Sequence, residues 1–136
     1  AAPWMPIGGE GRVAAVSVRS GLDLTPRMEW PPPGGRFLTY LATPGLFTQG
    51  RWFPEHLAAK CNLVAAITAS PRVFSGWNVP ANRPLLTRYA VPAGAVHFWQ
   101  IRDEVPEDPH GESISEEQED RQAGWGLALR GEWEYV

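Results

Sequence analysis

Gly124-Trp125-Gly126-Leu127-Ala128-Leu129-Arg130-Gly131 sets three glycines around an apolar run close to the C-terminus. Glycine reaches backbone conformations closed to other residues, and the apolar run suits a pleated surface, so the stretch reads as a special turn leading into a strand. Such a turn presents backbone N–H groups and leaves room for a phosphate or a sugar edge. Related turns lie upstream. Gly8-Gly9-Glu10-Gly11 leads into the β-branched run at 12–19, and Pro92-Ala93-Gly94 separates apolar runs at 85–91 and 95–101.

Strand signals dominate the remainder. Residues 36–43 (RFLTYLAT) read as a strand stopped by Pro44-Gly45, and 85–91 with 95–101 read as a hairpin. The run at 62–69 (NLVAAITA) fits a strand or a buried helical segment. The last strand is expected at 125–136, bent at Gly131. Residues 54–60 predict a short helix with Pro54 in its first turn. Ser113 and Glu116 have capping-box spacing ahead of an exposed helix at 115–122. Segments 22–35, 70–84 and 103–111 read as loops. Fourteen Gly and fourteen Pro in 136 residues favour strands joined by turns over a helical protein. The fold class is α+β: an antiparallel sheet with short helices and long Pro/Gly-rich loops, in one domain spanning 1–136.

Charge is divided unevenly along the chain. Residues 1–102 hold ten Arg/Lys against four Asp/Glu, whereas 103–136 hold two Arg against eleven acids. Nine of those acids fall at 103–120, where no basic residue occurs, so 103–122 is an acidic loop and helix inserted in a basic domain. Arginine supplies eleven of the twelve basic residues. That composition suits bidentate phosphate contacts and base stacking, and equally follows from a GC-rich genome. No apolar run approaches the ~20 residues of a membrane span, and no signal-peptide pattern opens the chain. Cys61 is the single cysteine, which excludes an internal disulfide and a Cys-based zinc cluster; it reads as a small buried residue. These features are compatible with the cytoplasm. The chain opens on Ala1, as a processed or excised piece of something longer would.

Catalytic constellations are hard to assemble. His56, His97 and His110 lie in unrelated contexts, without the paired histidines of metal sites. The run from Val91 to Trp99 does have the Pro-x-Gly-x-x-His turn of cupin barrels, which leaves a metal-dependent enzyme using His97 as the alternative reading. Ser75 lies outside any nucleophile-elbow pattern, and Gly8-Gly9-Glu10-Gly11-Arg12 lacks the Lys-Ser/Thr of a phosphate-binding P-loop. Binding fits better. Each Gly turn has an arginine nearby (Arg12, Arg88, Arg121), and Trp77, in a Pro-rich loop, is either a stacking platform or a core anchor.

Four segments in order carry a family resemblance. They are Ile7-Gly8-Gly9-Glu10-Gly11-Arg12, then Tyr40-Leu41-Ala42-Thr43-Pro44-Gly45-Leu46-Phe47, then Ser75-Gly76-Trp77 with the run from Arg88 to Val96, and the opening stretch from Gly124 to Gly131. Together they resemble the C-terminal part of the third Cmr subunit of type III-B CRISPR effector complexes, of the RAMP superfamily. The resemblance implies a ferredoxin-like (RRM-like) βαββαβ module, two per subunit, of which this chain would be the C-terminal one. It further implies antiviral defence without catalysis or cofactor, contact with the 5′ tag of CRISPR RNA, and docking to a large polymerase-like subunit and to other RAMP subunits. On this reading the Gly124 and Gly126 turn is the superfamily's Gly-rich loop, with the spacing from Gly126 to Gly131 one residue tighter than the common form. Arg12, Arg36, Arg72, Arg88, Arg121 and Arg130 are the candidates for phosphate contacts and Trp77 for stacking. RNA would repel the acidic insert, which is expected to point away from it, disordered or toward a basic neighbour. A purely structural protein–protein adaptor is a further alternative.

Overall fold

The computed structural model describes residues 4–6, 13–15, 17 and 29–135. Of the strand expected at 12–19, residues 13–15 are strand and Ser17 is not; Arg12 and the turn at 8–11 lie outside the described residues. Strand β1 (Trp4–Pro6) pairs antiparallel with β2 (Val13–Ala15).

The central element is β3 (Arg36–Leu41), whose alternation sends Phe37, Thr39 and Leu41 into the interior and leaves Tyr40 on the other face. The chain continues through β4 (Gly45–Leu46), helix α1 (Glu55–Lys60), β5 (Cys61–Ile67), β6 (Arg72–Phe74), β7 (Trp77–Asn78), β8 (Arg83–Pro84), β9 (Arg88–Val91) and β10 (Val96–Ile101). Helix α2 (Gln118–Gln122) and β11 (Ala128–Glu132) complete it. The main sheet runs β11-β3-β10-β5 with every neighbour antiparallel. Counted along the chain, its strands therefore lie in the order fourth, first, third, second. Helix α1 falls between the first and second of them, and α2 between the third and fourth.

One core lies on the inner face, built from Phe37, Leu41, Phe47, Leu57, Cys61, Val91, Ala95, Trp99, Ile114 and Ala128. Trp99 is completely buried, and its indole N–H donates to Thr39 Oγ1 at 3.0 Å, so the two polar atoms of the strand pair satisfy each other. A six-residue helix is marginal alone; α1 holds through buried Leu57, a contribution of roughly 2 kcal/mol.

The structure differs from the sequence expectations at the hairpin, one loop, one helix and the last strand, and it settles the run at 62–69. The apolar runs at 85–91 and 95–101 do not pair with each other. Instead β9 joins β6 and β4 in a separate three-stranded sheet, and β10 fills the gap between β3 and β5. The turn at 92–94 cannot close a hairpin because it is tied to β3, with Gly94 N–H donating to Leu41 O and Leu41 N–H to Ala95 O. The supposed loop at 70–84 contains β6, β7 and β8, with β7 pairing β8. The ambiguous run at 62–69 is strand β5. Lastly, the expected helix at 115–122 begins at Gln118 without a side-chain cap. Ser113 Oγ donates to Trp125 O, and the Glu116 carboxylate accepts N–H bonds from Thr48 and Glu55, at the start of α1. Glu116 thus caps the other helix. The last strand ends at Glu132, without a left-handed conformation at Gly131.

Candidate nucleic-acid interface

The Gly-rich turn connects α2 to β11. Gly124 has φ +84° and Gly126 φ +70°, and a Cβ on Gly126 would lie 2.4 Å from Ser115 Oγ and 2.8 Å from the Ser115 main-chain nitrogen. Both requirements explain glycine here. The N–H groups are nevertheless not bare. Gly124 N–H donates to Arg121 O, Trp125 N–H to Asp120 O and Gly126 N–H to Pro44 O. Leu127 N–H donates to Thr43 Oγ1, whose own hydroxyl donates to Gly124 O. The expected anion cradle is therefore closed by internal bonds, and the turn fastens β11 to the loop after β3.

The acidic insert makes ion pairs with the chain's own basic groups. Asp120, nearly buried, takes both terminal nitrogens of Arg88, with Nη1 at 2.7 Å from one carboxylate oxygen. The hydrogen bond that Arg88 donates to Asp120 raises the Arg88 pKa above its ordinary value. Asp108 meets Arg130 Nε at 2.7 Å, and Glu104 meets Lys60 Nζ at 2.6 Å. Burial alone would raise the Glu116 pKa, but hydrogen bonds from the Thr48 side chain and from the Glu55 and Thr48 amides outweigh it and hold the carboxyl below its ordinary value.

The sequence candidates consequently separate. Arg130 is buried, lies against the Trp30 ring and donates to Glu29 O, so its guanidinium belongs to the interior. Arg36 lies on the opposite face of the sheet, over Trp133 and Tyr135, with Nε bonded to Gln100 Oε1. Arg88 keeps part of its side chain exposed while holding Asp120. Arg121, at the end of α2, is exposed and lines a groove of about 1110 Å³ between α1, the insert and Gly124.

Arg72 and Trp77 are both exposed in one stretch of the chain, the arm 72–91, which holds β6, β7, β8 and β9. Trp77 is 56% exposed and so is not an anchor in the core. Arg83, absent from the candidates read in the sequence, is exposed on the same arm. It borders a groove of about 600 Å³ walled by Leu46, Phe74, Leu85, Leu86 and Trp125. A signal for it was present: residues 56–102 contain five basic residues and no acid.

His97 is fully buried among Phe47, Trp52 and Trp99, and its Nε2 donates to Trp52 O at 2.8 Å. Burial lowers its pKa. Among the described residues, no group of three His, Cys, Asp or Glu is placed to hold a metal. Cys61 is buried, and its thiol is pushed up to about 11, far from a neutral-pH nucleophile. No helix among the described residues is long and apolar enough to cross a membrane.

The fold is an antiparallel α+β scaffold with short helices. A family model described as CRISPR-associated protein (Cas_Cmr3) matches residues 1–133, and the chain belongs to that family, the one its four ordered segments resemble. Membership implies a subunit of a CRISPR effector complex. No curated protein matches the chain.

Proposed function

We propose that this chain is a ferredoxin-like RAMP module of a type III-B effector complex that binds the 5′ tag of CRISPR RNA without catalysing a reaction, and docks to neighbouring subunits. The strand order fourth-first-third-second, with a helix after the first and after the third strand, supports the ferredoxin-like assignment. The observation that carries RNA binding is the exposed arm, where Arg72, Arg83 and Trp77 project from an acid-free part of the chain. Arginines supply phosphate contacts and an exposed indole supplies a stacking face, the pairing that single-stranded RNA recognition requires. Arg36 and Arg121 offer secondary phosphate contacts, whereas Arg88 and Arg130 act on the fold.

Fluorescence titration of the chain with single-stranded RNA of the tag sequence, across a salt series, tests the reading. Affinity is expected to fall steeply with salt. Trp77→Ala is expected to weaken binding by about 1–3 kcal/mol with little change of the salt slope. Salt-insensitive or absent binding would overturn the proposal. Loss of metal-dependent activity in His97→Ala would instead favour the enzyme.

A further inference from the structure

Leu85 and Leu86, between β8 and β9, are 51% and 88% exposed, and neither belongs to the core. Both line the groove of about 600 Å³ that Arg83 borders, a size within the roughly 300–1,000 Å³ of small-ligand sites. Its aromatic wall is Phe74 and Trp125, set edge to face with ring centroids 4.6 Å apart. Backbone pairing fixes both rings: Phe74 lies in β6 opposite Arg88 of β9, and Trp125 N–H donates to Asp120 O. The turn at 124–126 thus lends the groove a ring while its amides stay bonded internally.

Charge around the groove is divided. Arg88 and Asp120 line it and hold each other, so their charges cancel. Arg83 and Glu119 also line it, are exposed, and make no ion pair among the described residues. Arg83 would attract an anion, whereas Glu119 would accept from an N–H donor and repel a second acceptor. A nucleotide answers all of these features, with an apolar-faced base, a phosphate and, in cytosine, adenine and guanine, an exocyclic amine. An apolar side chain answers only the walls. Pro84 lines the groove and pairs directly opposite Trp77, so the exposed indole adjoins it. Successive bases of one strand therefore have neighbouring seats, one on Trp77 and one in the groove.

We propose that this groove holds one unstacked base of the bound RNA and selects bases that carry an exocyclic amine over uracil. The inference rests on the RNA-binding reading of the chain and deepens it. Phe74, Trp125 and the two leucines enclose the base, Arg83 takes its phosphate, and the Glu119 carboxylate accepts from its amine. Uracil presents a carbonyl oxygen where cytosine presents the amine, so the carboxylate repels it.

The test titrates the whole chain with single-stranded RNAs of the tag sequence in which each position in turn is cytosine or uracil. At one position, cytosine is expected to bind about fivefold more tightly than uracil. Glu119→Ala should bring those two affinities together, and Leu86→Ser should weaken the cytosine form about threefold. Both positions are exposed, so melting temperature should hold in each variant. Photocrosslinking of RNA with 5-iodocytidine at that position should mark Phe74 or Trp125. Equal affinities at every position, a preference that survives Glu119→Ala, or crosslinks confined to Trp77 would overturn the inference and leave the RNA reading standing. Absent binding of every RNA would sink both. If Leu86→Ser spares RNA affinity and instead weakens assembly with co-expressed protein subunits of the effector, the groove seats a protein and the inference falls.

Discussion

The turn at 124–126 and the arm at 72–91 both set arginines beside strands, yet carboxylates hold Arg130 and Arg88, the latter at the end of the arm, and leave Arg72 and Arg83 without an ion pair among the described residues. Around the turn, Asp120 holds Arg88, Asp108 holds Arg130, and each N–H from Gly124 to Leu127 has an internal acceptor. On the arm, Arg72, Trp77 and Arg83 face solvent. Glycine content and nearby arginine therefore do not distinguish a binding loop from a structural clasp. What decides is where the fold delivers the acids. The contrast yields perturbations that strike the clasp through stability and the arm through affinity.

The largest effect is expected at Gly126. Alanine there would combine a left-handed backbone with a Cβ driven against the Ser115 main chain, where no rotamer change gives relief. A loss of about 2–4 kcal/mol in denaturant unfolding is expected. RNA affinity of the folded fraction should stay near wild type. A large affinity loss at preserved stability would restore the turn as a contact site and break the comparison.

Asp120→Asn comes next. It removes the carboxylate from a nearly buried position and leaves Arg88 unpaired. Breaking a fully buried pair costs about 3–5 kcal/mol, but Arg88 is partly open to water, so about 1–2 kcal/mol is expected. Because the insert also loses one negative charge, RNA affinity should hold or rise. A fall would mean that Asp120 positions a contact residue.

Acid should act on the clasp and the core together. The His97 pKa is lowered by burial, so its neutral form is favoured when folded; this stability is complete above the ordinary value of 6.5 and is lost as pH falls through the lower folded value. Glu116 has the same sign, with its share present above 4.5 and lost as pH falls through its depressed folded value. Thermal melts should thus show stability declining in two stages below pH 6.5. His97→Gln should shrink the upper stage, which His56 shares because burial lowers its pKa too, and Glu116→Gln should remove the lower. A flat profile between pH 6.5 and 5 would contradict the buried neutral imidazole.

Much of this architecture was legible in residues 36–41 and 55–60, where alternation and a Pro-led start are local signals. Residues 85–101 misled because a Pro-x-Gly turn between apolar runs looks like a hairpin whichever strands the runs join. Only the long-range bonds of Gly94 and Leu41 decide that. Ser113 and Glu116 show the same limit, since capping-box spacing does not say which helix the carboxylate will reach. For the site, the absence of acids at 56–102 was visible, and it marks Arg83. The destinations of Asp108 and Asp120 were not, because ion pairs across 22 and 32 positions depend on the assembled sheet.

The smallest effect on stability and the sharpest on function are expected at Arg72 and Arg83. Both are exposed, and neither makes an ion pair among the described residues, so alanine at either should change unfolding free energy by less than about 0.5 kcal/mol. If each neutralises one phosphate, each substitution should lower the slope of log affinity against log salt by about 1. Arg88→Ala supplies the opposite pattern, with stability reduced by the stranded Asp120 and the salt slope kept. Measured side by side, the three variants separate a contact arginine from a clasp arginine without knowledge of the bound geometry. Equal loss of slope in all three would show that Arg88 releases Asp120 to meet RNA. The clasp and the arm would then be parts of one surface, and the boundary drawn between them at Arg88 would have to move.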